Sequence, residues 1–256
     1  MQDILKKYLD LLDSAEDYVE GGWSSGHGNA GDLKLSLSGE IAAGGTGDRG
    51  RTGAIGRTSD RDRTGSGVSD TLEAIAAEVK ACGKCRLGSE RKNPVPGEGV
   101  LNPKVMIIGE APGAQEDACG HPFVGRAGQY LDKWLHAIGL DRERDVFIGN
   151  IIKCRPPKNR DPLPDESAAC MPYLKRQIAL INPRVILTLG RISTHLLTGT
   201  TEGIGKLHGR VLQFEGVPLI PTYHPSGVLR NPVYRQPVWD DLRKLKRTIE
   251  AREREG

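Results

Sequence analysis

The chain has 256 residues, 27.8 kDa, 37% hydrophobic and 27% charged residues, which is apolar enough for one folded domain plus an extension but low for a chain globular throughout. No run of 18 apolar residues occurs, which excludes a membrane-spanning helix, and the acid-interleaved opening M-Q-D-I-L-K-K-Y-L-D is not expected to be a secretory signal. The net charge of +3 divides unevenly: residues 1–70 hold 8 basic and 12 acidic residues, residues 71–256 hold 28 and 21, so the later part suits a polyanionic partner.

Residues 1–20 place Ile4, Leu5, Tyr8, Leu9 and Leu12 at helical spacing and predict a short amphipathic helix. Residues 21–68 carry the glycine-rich stretch: fourteen of residues 21–70 are glycine and the only aromatic is Trp23, a composition that predicts a disordered linker. A domain is expected over 69–256, opening with Ser69 as cap of a helix over 71–81. Strands are predicted at 105–109, 146–152 and 185–189, with helices at 125–137, 165–180 and 192–197. Glu215-Gly216 marks a hairpin between 211–214 and 217–220, the second arm running on to Tyr223, and a basic helix begins about Val238. The alternation indicates an α/β layered domain with a mostly parallel sheet. Ligands bind such sheets at the carboxyl ends of strands, which directs attention to the loops after Gly109, Asn150 and Tyr223.

Five cysteines without a secretory signal point to a reducing compartment, taken as cytoplasmic. Cys82 and Cys85 form C-x-x-C, while Cys154 and Cys170 have 15 residues between them. Four thiolates suit tetrahedral zinc or an iron–sulfur cluster; the single knuckle leans toward the cluster, and spacing alone does not choose. Cys119 is the spare. In the loops, Phe123 offers a stacking ring, Asn150 an amide with both donors and an acceptor, and His224 a donor for a developing anion.

The motifs C-G-K-C-R-L, G-E-A-P-G-A-Q-E-D, G-H-P-F-V-G-R-A-G, N-I-I-K-C-R-P-P-K-N-R and H-P-S-G-V-L-R follow in order between Ala81 and Trp239. Together they resemble the family 4 uracil-DNA glycosylases, the iron–sulfur branch of that superfamily, and the resemblance implies an α/β fold built as a three-layer αβα sandwich with a central, mostly parallel four-stranded sheet. The resemblance implies a DNA repair enzyme that flips uracil out of single- or double-stranded DNA and hydrolyses its N-glycosidic bond, leaving an abasic site. It implies a 4Fe–4S cluster on Cys82, Cys85, Cys154 and Cys170. It makes Phe123 the stacking ring, Asn150 the reader of O4 and N3–H, and His224 the stabiliser of charge at O2. Glu110, Ala111 and Pro112 would wall the base, and Leu229 and Arg230 would wedge into the DNA. Ala111 stands where the best-known branch has a water-activating aspartate, so Glu110, Glu116 and Asp117 are the candidate activators. The segment K-C-R-P-P-K-N-R-D-P lacks the reactive histidine of a crosslinking relative, so turnover is expected. The rival reading is a non-catalytic iron–sulfur protein that binds nucleic acid. A monomer is expected, without membrane attachment, and residues 2–9 loosely resemble sliding-clamp-binding peptides.

Overall fold

The computed structural model describes residues 70–255. The expected helix at 1–20, its clamp-binding peptide, the linker at 21–68 and the Ser69 cap lie outside the described residues.

Thr71, not Ser69, caps the first helix: its hydroxyl accepts the N–H of Ala74 at 3.1 Å, and α1 runs Leu72–Ala81. A short α2 (Leu87–Glu90) and the two-residue β1 (Glu98–Gly99) lead to β2 (Val105–Gly109). Then follow α3 (Ala114–Cys119), α4 (Arg126–Ala137), α5 (Arg142–Asp145), β3 (Val146–Asn150) and α6 (Pro164–Ile181). β4 (Val185–Leu189), α7 (Arg191–Thr198), α8 (Ile204–Leu207), β5 (Leu212–Phe214), β6 (Val217–Thr222), α9 (Pro225–Arg230) and α10 (Arg235–Glu255) complete the order.

The sheet runs β1-β3-β2-β4-β6-β5, with β3, β2, β4 and β6 parallel and both edges antiparallel. The expected four-stranded sheet therefore has six strands. β1 is too short to carry a periodic signal, and Leu212–Phe214 joins the same sheet through a turn in which Glu215 and Gly216 both take positive φ. β3 stops at Asn150 rather than Ile152, because the N–H groups of Ile151 and Ile152 turn to the carbonyls of Gly109 and Glu110.

β2, β3 and β4 are buried throughout, and alternation divides their side chains between two cores. Val105, Ile107 and Leu187 pack with Trp134 of α4 and Leu242 of α10. Met106, Ile108 and Ile186 pack on the other face with Ile75 of α1 and Leu174 of α6. These are the three layers the sequence implied. Among the described residues no helix is long and apolar enough to cross a membrane. The chain passes from β2 to β3 on one side and then to β4 on the other, so a crevice opens at the carboxyl end of β2.

Candidate active site and cysteine site

Gly109 ends β2 where two side chains converge. A Cβ there would lie 2.4 Å from Asn150 Oδ1 and 2.7 Å from Phe123 Cζ, so only glycine lets the amide and the ring meet. Phe123 is 7% exposed and takes φ 50°, a costly conformation for an aromatic residue that its surroundings must enforce. Arg142 donates to the carbonyls of Pro122 (2.6 Å) and Phe123 (3.1 Å) and pairs with Asp132 and Glu98. Beneath, Gly128 leaves room for the carbonyl of Phe123, which a Cβ would approach to 1.8 Å.

Glu116 fixes the same loop from its other side. Its Oε1 accepts the N–H groups of Val124 and Gly125, and its Oε2 that of Gly113, all at 3.1 Å. Asp117 is buried and accepts the N–H of Lys92 at 2.9 Å, away from Phe123's loop. Two of the three candidate water activators are thus committed to framing loops. Glu110 is half-buried at the end of β2, and burial, with the charge of Asp161 adding and that of Arg191 opposing, pushes its carboxyl up to about 7. Arg191 and Asp161 pair at 2.9 Å. Pro112 is buried and Ala111 packs against the core, as wall residues would.

Asn150 is 1% exposed, and its Oδ1 has no hydrogen-bond partner. A buried amide oxygen left without a donor costs about 1–3 kcal/mol, so this atom is free to accept a further hydrogen bond. His224 caps α9: its Nδ1 accepts the N–H of Ser226 at 3.2 Å and lies 2.8 Å from the Ser226 hydroxyl. With Nδ1 as acceptor, the neutral ring carries its proton on Nε2. Burial, with Arg230 adding and Glu116 opposing, drives its pKa down to about 4. Its ring lies 5.9 Å from that of Phe123. Gly190, at φ 91°, lets the end of β4 approach, since a Cβ there would be 3.2 Å from His224 Cβ. Leu229 is partly buried against the core, Arg230 is exposed, and nearby Val233 is 67% exposed. The apolar part of the expected wedge is therefore less free than the sequence suggested.

Cys82, Cys85, Cys154 and Cys170 line one small pocket between α1 and α6, and Cys119 is exposed outside it. Arg91 donates to Cys154 Sγ at 2.9 Å and to the carbonyls of Lys80 and Cys82. The N–H of Lys153 donates to Cys170 Sγ at 3.3 Å. Burial raises the thiol of Cys154 and pushes that of Cys170 up to about 11. Among the described residues, no group of three or more His, Cys, Asp or Glu is arranged to hold a single metal ion.

Sequence reasoning missed Arg142, Gly190 and the framing role of Glu116. The last was available, because Glu116 stands at the third position of α3 after Gly113, where a side chain folds back onto the helix entry. Arg142 carries no local signal.

Phe123 thus lies beside Asn150 across Gly109 and beside His224, at the carboxyl end of the strands where such sheets bind ligands. The family model of the uracil DNA glycosylase superfamily matches residues 96–243. The chain is 48% identical over 192 residues to the type-4 uracil-DNA glycosylase of Saccharolobus solfataricus, covering 72% of this chain and 88% of that protein. It is 46% identical over 179 residues to that of Pyrobaculum aerophilum (67% and 91%) and 43% over 184 residues to that of Thermotoga maritima (70% and 95%). The chain belongs to the uracil-DNA glycosylase superfamily and, within it, to the type-4 branch.

Proposed function

We propose that this protein is a monofunctional DNA repair glycosylase that hydrolyses the N-glycosidic bond of deoxyuridine in DNA and leaves the backbone intact. The buried, partnerless Oδ1 of Asn150 beside Phe123 carries this reading. A flipped uracil brings an N3–H donor and an O4 acceptor, which the amide of Asn150 meets with its oxygen and its NH2. Phe123 stacks on the ring. As the bond to the sugar lengthens, negative charge gathers on uracil, and the Nε2–H of neutral His224 donates to O2. A histidine held neutral gives a hydrogen bond without surrendering its proton. The departing base leaves a cationic sugar, which the carboxylate of Glu110 stabilises while orienting the attacking water.

The four cysteines fit a 4Fe–4S cluster: the donor set is all sulfur, and Arg91 and the N–H of Lys153 direct hydrogen bonds at two of the sulfurs. A cluster spreads its four thiolates over separate irons, so it does not require them to meet at one ion. Its role when bound is to staple α1, the loop after β3 and α6 together.

Incubation with a uracil-containing oligonucleotide should release uracil and leave an alkali-labile but uncut strand; the same strand unchanged after alkali would refute the activity. Single-turnover rates should rise with pH around 7, because the raised carboxyl of Glu110 is neutral below that value and charged above it. His224 is neutral well above its pKa of about 4 and adds no limb there. Glu110→Gln should be slow and flat across the same range; an unchanged rise would remove Glu110 from the role.

The DNA is held chiefly by its phosphates, in keeping with the basic balance of residues 71–256. Affinity for the abasic product should fall steeply with salt, each neutralised phosphate adding roughly 0.9 to the log–log slope on duplex DNA. A flat salt response would contradict this.

A further inference from the structure

Lys153 is fully buried, 1% exposed, and among the largest side chains to be so. Its two hydrogen-bond acceptors are neutral oxygens: Nζ donates to the backbone carbonyl of Asn150 at 3.0 Å and to Gln177 Oε1 at 2.6 Å. A buried ammonium without a carboxylate partner is expensive, and an apolar side chain of similar length would be cheaper for stability alone. Its position explains what the ammonium does.

β1 pairs with β3 through Glu98 opposite Ile148 and Gly99 opposite Phe147. Pro96 lies two residues before β1, and proline has no N–H to offer the end of β3. Lys153 reaches back to donate there instead. Gln177 completes the bridge, since its Nε2 donates to the carbonyl of Pro96 at 2.8 Å while its Oε1 receives the ammonium. The backbone of the same lysine is tied at both ends: its N–H to Cys170 Sγ at 3.3 Å, its carbonyl to the N–H of Val95 at 2.7 Å.

We infer that Lys153 is a positioning residue for base recognition: it supplies the missing donor at the end of β3, fixes the peptide from which the Asn150 side chain projects, and ties that peptide to the cysteine site. The inference rests on the proposed reading of Asn150. Misplacing a recognition amide is expected to cost rate rather than DNA affinity, because affinity is carried mainly by phosphate contacts and specificity by base contacts.

The test uses the full-length protein carrying Lys153→Met, which keeps the length and removes the donor, and separately Gln177→Leu. In Lys153→Met, single-turnover uracil excision should fall by about tenfold or more and inhibition by free uracil should weaken in parallel, while KM for DNA and abasic-product binding stay within about twofold. The visible absorption of the cysteine site should persist, and Gln177→Leu should show a smaller loss of the same kind. Wild-type excision and uracil inhibition in both variants would overturn the inference. So would losses of excision matched by equal losses of colour and DNA binding, which mark a structural role only. If Lys153→Met does not fold, Gln177→Leu decides by the same split. Failure of the glycosylase reading is separately visible, as a wild-type protein that releases no base.

Discussion

Asn150→Asp is expected to lower uracil excision by at least about a hundredfold, equivalent to roughly 2.7 kcal/mol, with DNA binding and the colour of the cysteine site retained. The wild-type amide presents an oxygen to N3–H and an NH2 to O4. A carboxylate of the same size keeps the acceptor and loses the donor, setting its lone pairs against those of O4. The pocket cannot dilute the conflict, because Asn150 is 1% exposed and packed against Gly109 and Phe123. Burial also favours the protonated carboxyl, which regains a donor, so the deficit relative to the wild type at the same pH should shrink as pH falls. The same fixed amide explains rejection of cytosine, whose N4 amino group and N3 lone pair reverse the pattern, at about 1–3 kcal/mol per mispaired group. Wild-type excision by a coloured Asn150→Asp protein would make Asn150 a turn residue and move base reading elsewhere.

Cys154→Ser is expected to yield colourless, poorly soluble protein, whereas Cys119→Ser stays coloured and active. Cys154 is buried in the pocket shared with Cys82, Cys85 and Cys170, and its sulfur anchors Arg91, which also holds the carbonyls of Lys80 and Cys82 at the end of α1. On the proposed ligand set, removing the thiolate takes away one cluster ligand and loosens that junction at once. Cys119 is exposed, and its sulfur meets only the carbonyl of Glu116, at a distant 3.9 Å. Loss of colour in Cys119→Ser alone would overturn the ligand set.

β2, β3 and β4 were legible because each is a short, fully buried and mainly apolar run, as suits buried parallel strands. Their carboxyl ends directed attention to the loops that hold Asn150 and Phe123, which the fold brings together. The edge strand β1 has only two residues and gives no periodic signal, and the end of the interior strand β3 is set by tertiary hydrogen bonds that no local pattern announces. Among the site residues, the ring, amide and imidazole were readable as residue types in loops. The sorting of the acids was not, because Glu110, Glu116 and Asp117 lie within eight positions of one another and differ only in what they touch. Three backbone N–H groups claim Glu116, one fixes Asp117, and Glu110 remains beside Asp161 and Arg191. Lys153 was invisible for a related reason. A lysine beside a cysteine and an arginine reads as part of a basic loop, and only the fold shows it turned inward under Asn150.

The most direct measurement is the identity of the free base released, under single turnover, from a duplex carrying one uracil among normal bases. Uracil as the sole product, with an abasic site and an uncut backbone, is the expected result. Release of no base, release of cytosine alongside uracil, or cleavage of the strand without alkali would contradict a pocket in which Asn150 reads the base and His224 supports its departure.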